Sequence, residues 1–299
     1  MEDSILTKVV LPLALFIVML GLGLSLTGAD FRRAGKKPLP VIVGLVCQLA
    51  LLPVMGFLVA EIFGLTGALA VGLVILSLCP GGVTSNMISY LARGDLALSI
   101  TLTAISSVAT PFTVPWLANL AFAHFGVDAT EIALPIPKTM ITLLAITIVP
   151  VGIGMFVRSK RESFAKRAER PVRILSTLFL ALIIAGVVRQ NWDELGGFFV
   201  QVGWAAFALN IGCMTLGTGL AFLLRLKRPQ AITIGVEVGI QNGTTAIFIT
   251  GTLLATPAMT IPPAVYSLIM FGTGAVFGVL MNAGRSKEPE PKPEEASSF

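Results

Sequence analysis

The chain has 299 residues, of which 55% are hydrophobic and 12% charged, and its formal net charge is +5. A soluble domain carries about 25% charged residues, so this composition, with a mean hydropathy of +0.88, excludes one and indicates an integral membrane protein. The basic residues fall in short clusters between apolar runs, as membrane topology requires, which excludes a nucleic-acid surface.

The apolar runs are near the length of a membrane-crossing helix, and none shows the alternation of a barrel strand. Residues 1–8 are short and polar. The run 9–26 is too long for a signal-peptide core and lacks a small-residue cleavage site, so it reads as a retained first span. Gly28-Ala29-Asp30 ends it, and Arg32, Arg33, Lys36 and Lys37 follow as a basic connection. The second span, 39–60, carries Gln48 near its middle, and Glu61-Ile62-Phe63-Gly64 turns the chain into the third, 65–91. Arg93-Gly94-Asp95 is a tight turn before the fourth, 96–122, which carries Ser99, Thr103, Ser106, Ser107, Thr110 and Thr113.

A loop from His124, with Asp128 and Glu131, leads to the fifth span, 138–157, and then to the most basic stretch, Arg158 to Arg173. The sixth span, 174–188, ends in the polar turn Arg189-Gln190-Asn191-Trp192-Asp193-Glu194. The seventh, 198–224, the eighth, 231–254, and the ninth, 264–281, complete an all-α chain of about nine transmembrane helices. Residues 1–284 form the membrane unit. The tail 285–299, with Glu-Pro-Glu-Pro-Lys-Pro-Glu-Glu, is too polar and Pro-rich to pack and is expected to be disordered.

Nine spans place the termini on opposite sides. The basic clusters fall on alternate connections, which puts the N-terminus outside and the C-terminus in the cytoplasm of a cell inner or plasma membrane. Cys47, Cys79 and Cys213 all lie in apolar runs and make no disulfide framework. His124 is the single histidine, with no cluster to ligate a transition metal. No Ser/His or paired-carboxylate arrangement suggests an enzyme.

Two spans contain what a membrane helix avoids. Ser77-Leu78-Cys79-Pro80-Gly81-Gly82-Val83-Thr84-Ser85-Asn86 interrupts the third, and Gly235-Val236-Glu237-Val238-Gly239-Ile240-Gln241-Asn242-Gly243-Thr244 interrupts the eighth. Irregular backbone at membrane depth is tolerated only inside protein or beside a cavity, and paired interruptions in two halves point to a transporter's binding site. A small-residue break followed by a polar-Asn dipeptide recurs in opposite orientations, which predicts an inverted-topology repeat. Spans one to four would pair with six to nine, leaving the fifth alone.

Glu237 is the most informative residue. A carboxylate at that depth costs about 2.5–3.5 kcal/mol on insertion scales unless it is compensated. A proton, a basic partner or a cation would serve, and no Lys or Arg lies in the middle of a span. Ser85, Asn86, Ser99, Thr103, Gln48, Gln241 and freed carbonyls offer neutral oxygens. One carboxylate among neutral oxygens suits a monovalent ion such as Na+ better than a divalent one. The plainer alternative is a protonated Glu237 bonding across helices, with Ser99 and Thr103 as interhelical glue. Half-helix N-termini near Ser85-Asn86 and Gln241-Asn242-Gly243-Thr244 favour an anion, above all a carboxylate. Cys79 allows a thiol-based metalloid carrier, although one thiol in an apolar span is more often inert packing.

Cys79-Pro80-Gly81-Gly82-Val83-Thr84-Ser85-Asn86, continuing through Tyr90-Leu91-Ala92-Arg93-Gly94-Asp95-Leu96-Ala97-Leu98-Ser99, resembles the bile acid:sodium symporter family. Glu237-Val238-Gly239-Ile240-Gln241-Asn242 resembles that family's second crossover. The resemblance implies a panel and a core domain, two crossing discontinuous helices, and Na+-driven import of an organic anion by alternating access. It implies one sodium site at Ser85, Asn86, Ser99, Thr103 and Glu237. The other would comprise Gln48, Glu237, Gln241 and the carbonyls of Val238 and Ile240, giving two co-transported Na+ ions. Anion contacts are expected at Val83, Thr84 and Asn86 on the first break and at Asn242, Gly243 and Thr244 on the second.

The chain begins after a helix that bacterial relatives often carry, so the first family helix is read as missing. Val83 stands where relatives can offer a small hydroxyl. The expected cargo is therefore a carboxylate smaller than a bile acid, such as pantoate or another hydroxy or keto acid. Its partners would be that anion, sodium and membrane lipid, with no nucleic acid and no obligate protein. The alternative of the same architecture is a proton-coupled or metalloid/organic-anion exporter.

Overall fold

Backbone polar groups in hydrocarbon have no water to bond, so an apolar run closes its own hydrogen bonds as a helix. The computed structural model describes residues 9–36, 38–127, 135–190 and 195–283, and among these all regular structure is helical. The first half contains α1 (Leu11–Ser25), α2 (Gly28–Lys36), α3 (Pro38–Val46), α4 (Leu52–Ile62), α5 (Gly67–Ser77), α6 (Val83–Leu91) and α7 (Leu96–His124). The second contains α8 (Ile136–Lys160), α9 (Glu162–Gln190), α10 (Leu195–Leu223), α11 (Arg228–Gly239), α12 (Gly243–Phe248) and α13 (Ile261–Asn282). The expectations for residues 1–8, Lys37, Asp128, Glu131, Asn191 to Glu194 and the tail 285–299 lie outside the described residues.

Among the described residues, seven runs are long and apolar enough to cross a membrane: Pro38–Ile62, Leu96–His124, Ile136–Lys160, Glu162–Val187, Val200–Leu223, Arg228–Leu253 and Pro257–Asn282. The first predicted span is a shorter apolar helix of 15 residues, and the third is divided into α5 and α6. Two spans carry an inserted π turn that periodicity did not reveal, Cys47–Leu51 between α3 and α4 and Ile249–Leu253 after α12.

Three connections differ from expectation. The basic stretch after the first span is itself helical, as α2. Asp30 accepts from the Thr27 N–H at 2.8 Å and from its hydroxyl at 2.6 Å, which caps the turn. The basic run before the sixth span is also helical, so α9 starts at Glu162 and only Arg161 separates it from α8. The Glu162–Lys166 pair, 2.8 Å at i,i+4 spacing, supports that first turn. His124 belongs to the last turn of α7 instead of a loop. Its Nε2 lies 2.5 Å from Glu61 Oε1 at the end of α4, and its ring stands edge-on to Phe57 and Phe125.

Two sets of helices can be traced, joined where α7 packs on α8. α1, α8 and α9 pack on one another. At the α1–α8 crossing a Cβ on Gly23 would run into the Val151 backbone, and one on Gly154 into the backbone of Leu20 to Leu24. Small residues let membrane helices approach this closely, where lipid supplies no hydrophobic drive. In the second group α10 packs on α11 and α13, α4 on α5, and α6 and α7 on α11. The run Arg228–Leu253 is 100% buried in its apolar window. Protein surrounds it on every side, and that is the condition under which a broken membrane helix keeps its polar groups satisfied.

Candidate functional site

The polar breaks of the third and eighth spans meet in the second group. Pro80 and two glycines stop α5 at Ser77, and the chain resumes as α6 at Val83. α11 stops at Gly239, and α12 begins at Gly243. The N–H of Asn242 donates to the Pro80 carbonyl at 2.9 Å, so one break caps the other. Gln48, on the π turn of the second span, donates through Nε2 to the Cys79 carbonyl and to Gln241 Oε1, both at 2.9 Å. Thr110 on α7 reaches the Leu78 carbonyl at 3.5 Å.

Glu237 is 2% exposed and projects from α11 toward the start of α6. Ser85 and Thr103 hydroxyls stand 2.8 Å from Oε1 and 2.9 Å from Oε2, and Ser99 also donates to Oε1. Ser99 is 2.8 Å and Thr103 3.4 Å from Asn86 Oδ1, and Ser85 is 2.8 Å from the Gly82 carbonyl. Each hydroxyl owns one proton. Three protons therefore serve both carboxylate oxygens and the Asn86 oxygen, while the Gly82 carbonyl also takes the Asn86 N–H at 3.3 Å. The His124–Glu61 and Lys166–Glu162 ion pairs lie away from Glu237, which has no basic partner among the described residues. Gly81 makes the approach possible, because a Cβ there would strike the Glu237 carboxylate.

All five residues expected at the first cation set are thus brought together. The second set assembles differently around Glu237. Gln241 Nε2 donates to the Glu237 backbone carbonyl at 3.1 Å and to the Val238 carbonyl at 2.8 Å, while the Glu237 side-chain bonds stay in the first cluster. Gln48 Oε1 is buried and has no partner among the described residues. Ile240 leaves the helix at φ −108°, ψ 99°. A buried amide oxygen without a donor costs free energy unless a positive group meets it.

Val83, Thr84, Asn242, Gly243 and Thr244 line a cavity of about 30 Å³, room for about one water molecule. Asn242 Oδ1 caps α12 by accepting from Thr245 N–H at 3.0 Å, whereas its Nδ2 is buried with no partner among the described residues. Ser176 and Thr177 of α9 line the opposite wall. Asn86, expected as an anion contact too, does not line this cavity. It lies with Tyr90, Ser25 and Glu169 on a separate cleft of about 230 Å³, and Val83 and Met87 divide the two. Ser106, Ser107 and Thr113 bond only to carbonyls of their own helix, as interhelical hydroxyls often do. Cys79 Sγ likewise bonds the Ile75 carbonyl at 3.3 Å.

Sequence reading missed Asn210 and Tyr266, whose side chains converge on the Gly239 carbonyl at 2.6 Å and 2.8 Å. An amide near the middle of the apolar seventh span was a legible signal for Asn210; a single tyrosine in the ninth carried none. The α9 hydroxyls were equally silent, since only packing brings that helix to the breaks.

A family model described as the sodium bile acid symporter family matches residues 12–197. The chain is 30% identical over 260 residues, 84% of its own length and 76% of the other, to an "uncharacterized sodium-dependent transporter" of Bacillus subtilis (strain 168). It is 28% identical over 277 residues to a chloroplastic "probable sodium/metabolite cotransporter" of Arabidopsis thaliana, covering 92% of this chain and 67% of that one. It is also 28% identical over 285 residues to the ileal sodium/bile acid cotransporter of Homo sapiens, covering 92% of this chain and 79% of that one.

Proposed function

Because the chain belongs to the sodium bile acid symporter family, we propose that it is a multi-pass transporter importing a small organic anion together with Na+ by alternating access. The observation that carries this reading is a buried carboxylate, Glu237, met only by neutral groups: three hydroxyls bond it and the Asn86 oxygen, and none of them carries a positive charge. A cation of low charge supplies what the hydroxyls cannot. Its ligands are Ser85, Asn86, Ser99, Thr103 and Glu237, and a second Na+ is held by Gln48, Gln241 and the carbonyls of Glu237, Val238 and Ile240.

The anion binds where α6 and α12 begin. Thr84, Gly243 and Thr244 sit in first turns, where helix N–H groups carry partial positive charge, and Asn242 Nδ2 adds a donor. As it stands the cavity has room for about one water molecule, so it must widen to admit even a short hydroxy or keto carboxylate. Since α9 supplies one wall and the breaks the other, movement of the α1–α8–α9 group against the rest opens and closes the site. That group acts as the panel and the other helices as the core, with nine crossings and an inverted repeat whose two breaks correspond. Positive-inside counting places Tyr90 and Glu169 toward the cytoplasm. The cleft beside Asn86 then makes this an inward-facing form. Two Na+ with one monoanion would move one net charge inward, worth about 2.3 kcal/mol per 100 mV.

The first test is thermal stability of the purified protein in NaCl against KCl and choline chloride, followed by uptake of short carboxylates in proteoliposomes. Wild type gains sodium-specific stabilisation by mass action, and Glu237→Ala loses both this gain and sodium-driven uptake. Unchanged sodium-driven uptake in Glu237→Ala would sink the assignment. A response to pH in place of Na+ would transfer it to the proton-coupled alternative.

A further inference from the structure

α11 ends inside the protein, so the carbonyls of its last turn need donors the helix itself cannot supply. Gln241 serves Glu237 and Val238. The Gly239 carbonyl is served instead by two side chains from other helices, Asn210 Nδ2 of α10 at 2.6 Å and the Tyr266 hydroxyl of α13 at 2.8 Å. Both residues are 0% exposed. A carbonyl has two lone pairs, and both are occupied here. One donor would have met the requirement for satisfaction; two, fixed to different helices, also hold the plane of the peptide.

The position of that peptide matters because Gly239 lies between Val238 and Ile240. With its carbonyl tied toward α10 and α13, the orientations of the flanking carbonyls are restricted as the chain leaves the helix. Ser267, next to Tyr266 on α13, lies against the first residue of α12, where a Cβ on Gly243 would collide with its hydroxyl. Neighbouring residues of α13 therefore touch both sides of the second break.

We propose that Tyr266 and Asn210 are positioning residues for the second cation set. They clamp the Gly239 carbonyl so that those of Val238 and Ile240 remain presented to the ion beside Gln48 and Gln241. Ser267 carries the same constraint to the helix end that meets the anion. This rests on the sodium reading above and assigns to it two side chains that touch neither ion nor anion.

Tyr266→Phe removes one hydroxyl and keeps the ring, and Asn210→Ala is the independent second variant. Each raises the Na+ midpoint, in thermal stability and in uptake, about fivefold. The anion KM rises at low Na+ and stays within about twofold of wild type at saturating Na+. A lower melting temperature in choline chloride with an unmoved Na+ midpoint in Tyr266→Phe would make the clamp structural only and overturn the proposal. If wild type itself shows no sodium response, the sodium reading fails first and takes the clamp with it.

Discussion

Glu237 sits in an environment that would expel an isolated charge, and three hydroxyls meet it there. A hydrogen bond to a charged group contributes about 1.5–3 kcal/mol, so the three lower an insertion cost of about 2.5–3.5 kcal/mol while leaving the net negative charge unbalanced. Ser99 is within bonding reach of both Glu237 and Asn86. Ser99→Ala is expected to raise the Na+ midpoint about tenfold, the equivalent of one such bond. Thr113, whose hydroxyl bonds only the carbonyls of Ala109 and Thr110, serves as the comparison; Thr113→Ala leaves the midpoint within about twofold. Sodium titration of proteoliposome uptake measures both. At this scale much was legible, because a polar residue at membrane depth is conspicuous whatever its partners. Which carboxylate oxygen met which hydroxyl was not, since that depends on how α6, α7 and α11 are placed.

The elements that matter are those that stop early. Pro80 and the glycines end α5, and the breaks then satisfy each other through the Asn242 N–H and the Pro80 carbonyl. Gly81 is a point of close approach, with the Glu237 carboxylate where its side chain would be. Gly81→Ala should therefore displace the carboxylate and weaken sodium binding at least about tenfold, by the overpacking that costs about 1–3 kcal/mol in a filled core. Gly152→Ala, on a helix face with nothing within 4 Å, should leave the Na+ midpoint unchanged. Sodium-dependent melting curves compare the two, and an unchanged midpoint in Gly81→Ala would show that the carboxylate is not held against this backbone. The breaks announced themselves in composition, through Pro, Gly and Asn inside apolar runs. The π turn that carries Gln48 did not, because one extra residue in a turn leaves the hydrophobic pattern almost intact.

Across the whole molecule, α9 and the two breaks share the cavity beside Asn242, and the α1–α8–α9 group is joined by glycine contacts that allow no added carbon. The proposed orientation, with the Asn86 cleft toward the cytoplasm, rests on the charge bias of the connections. The native cysteines are buried, so single introduced thiols can report it cleanly. Thr66 and Arg225 lie at exposed connections. In intact cells Thr66→Cys is expected to react with a membrane-impermeant maleimide, and Arg225→Cys only after the membrane is opened. The reverse pattern would invert the topology and make the cleft outward-facing.

What the sequence determined by itself is the class of molecule, the helical runs, the two interruptions and the polar residues they carry. These follow from local rules: hydrocarbon demands internal hydrogen bonds, and Pro, Gly and buried polar groups violate a helix in recognisable ways. The tertiary structure alone decided that the interruptions cap one another, that Glu237 gives its side chain to one cluster and its backbone to the other, and that Asn210 and Tyr266 converge on Gly239. Those contacts join residues far apart in the chain, and no local pattern encodes a distance that packing has yet to set.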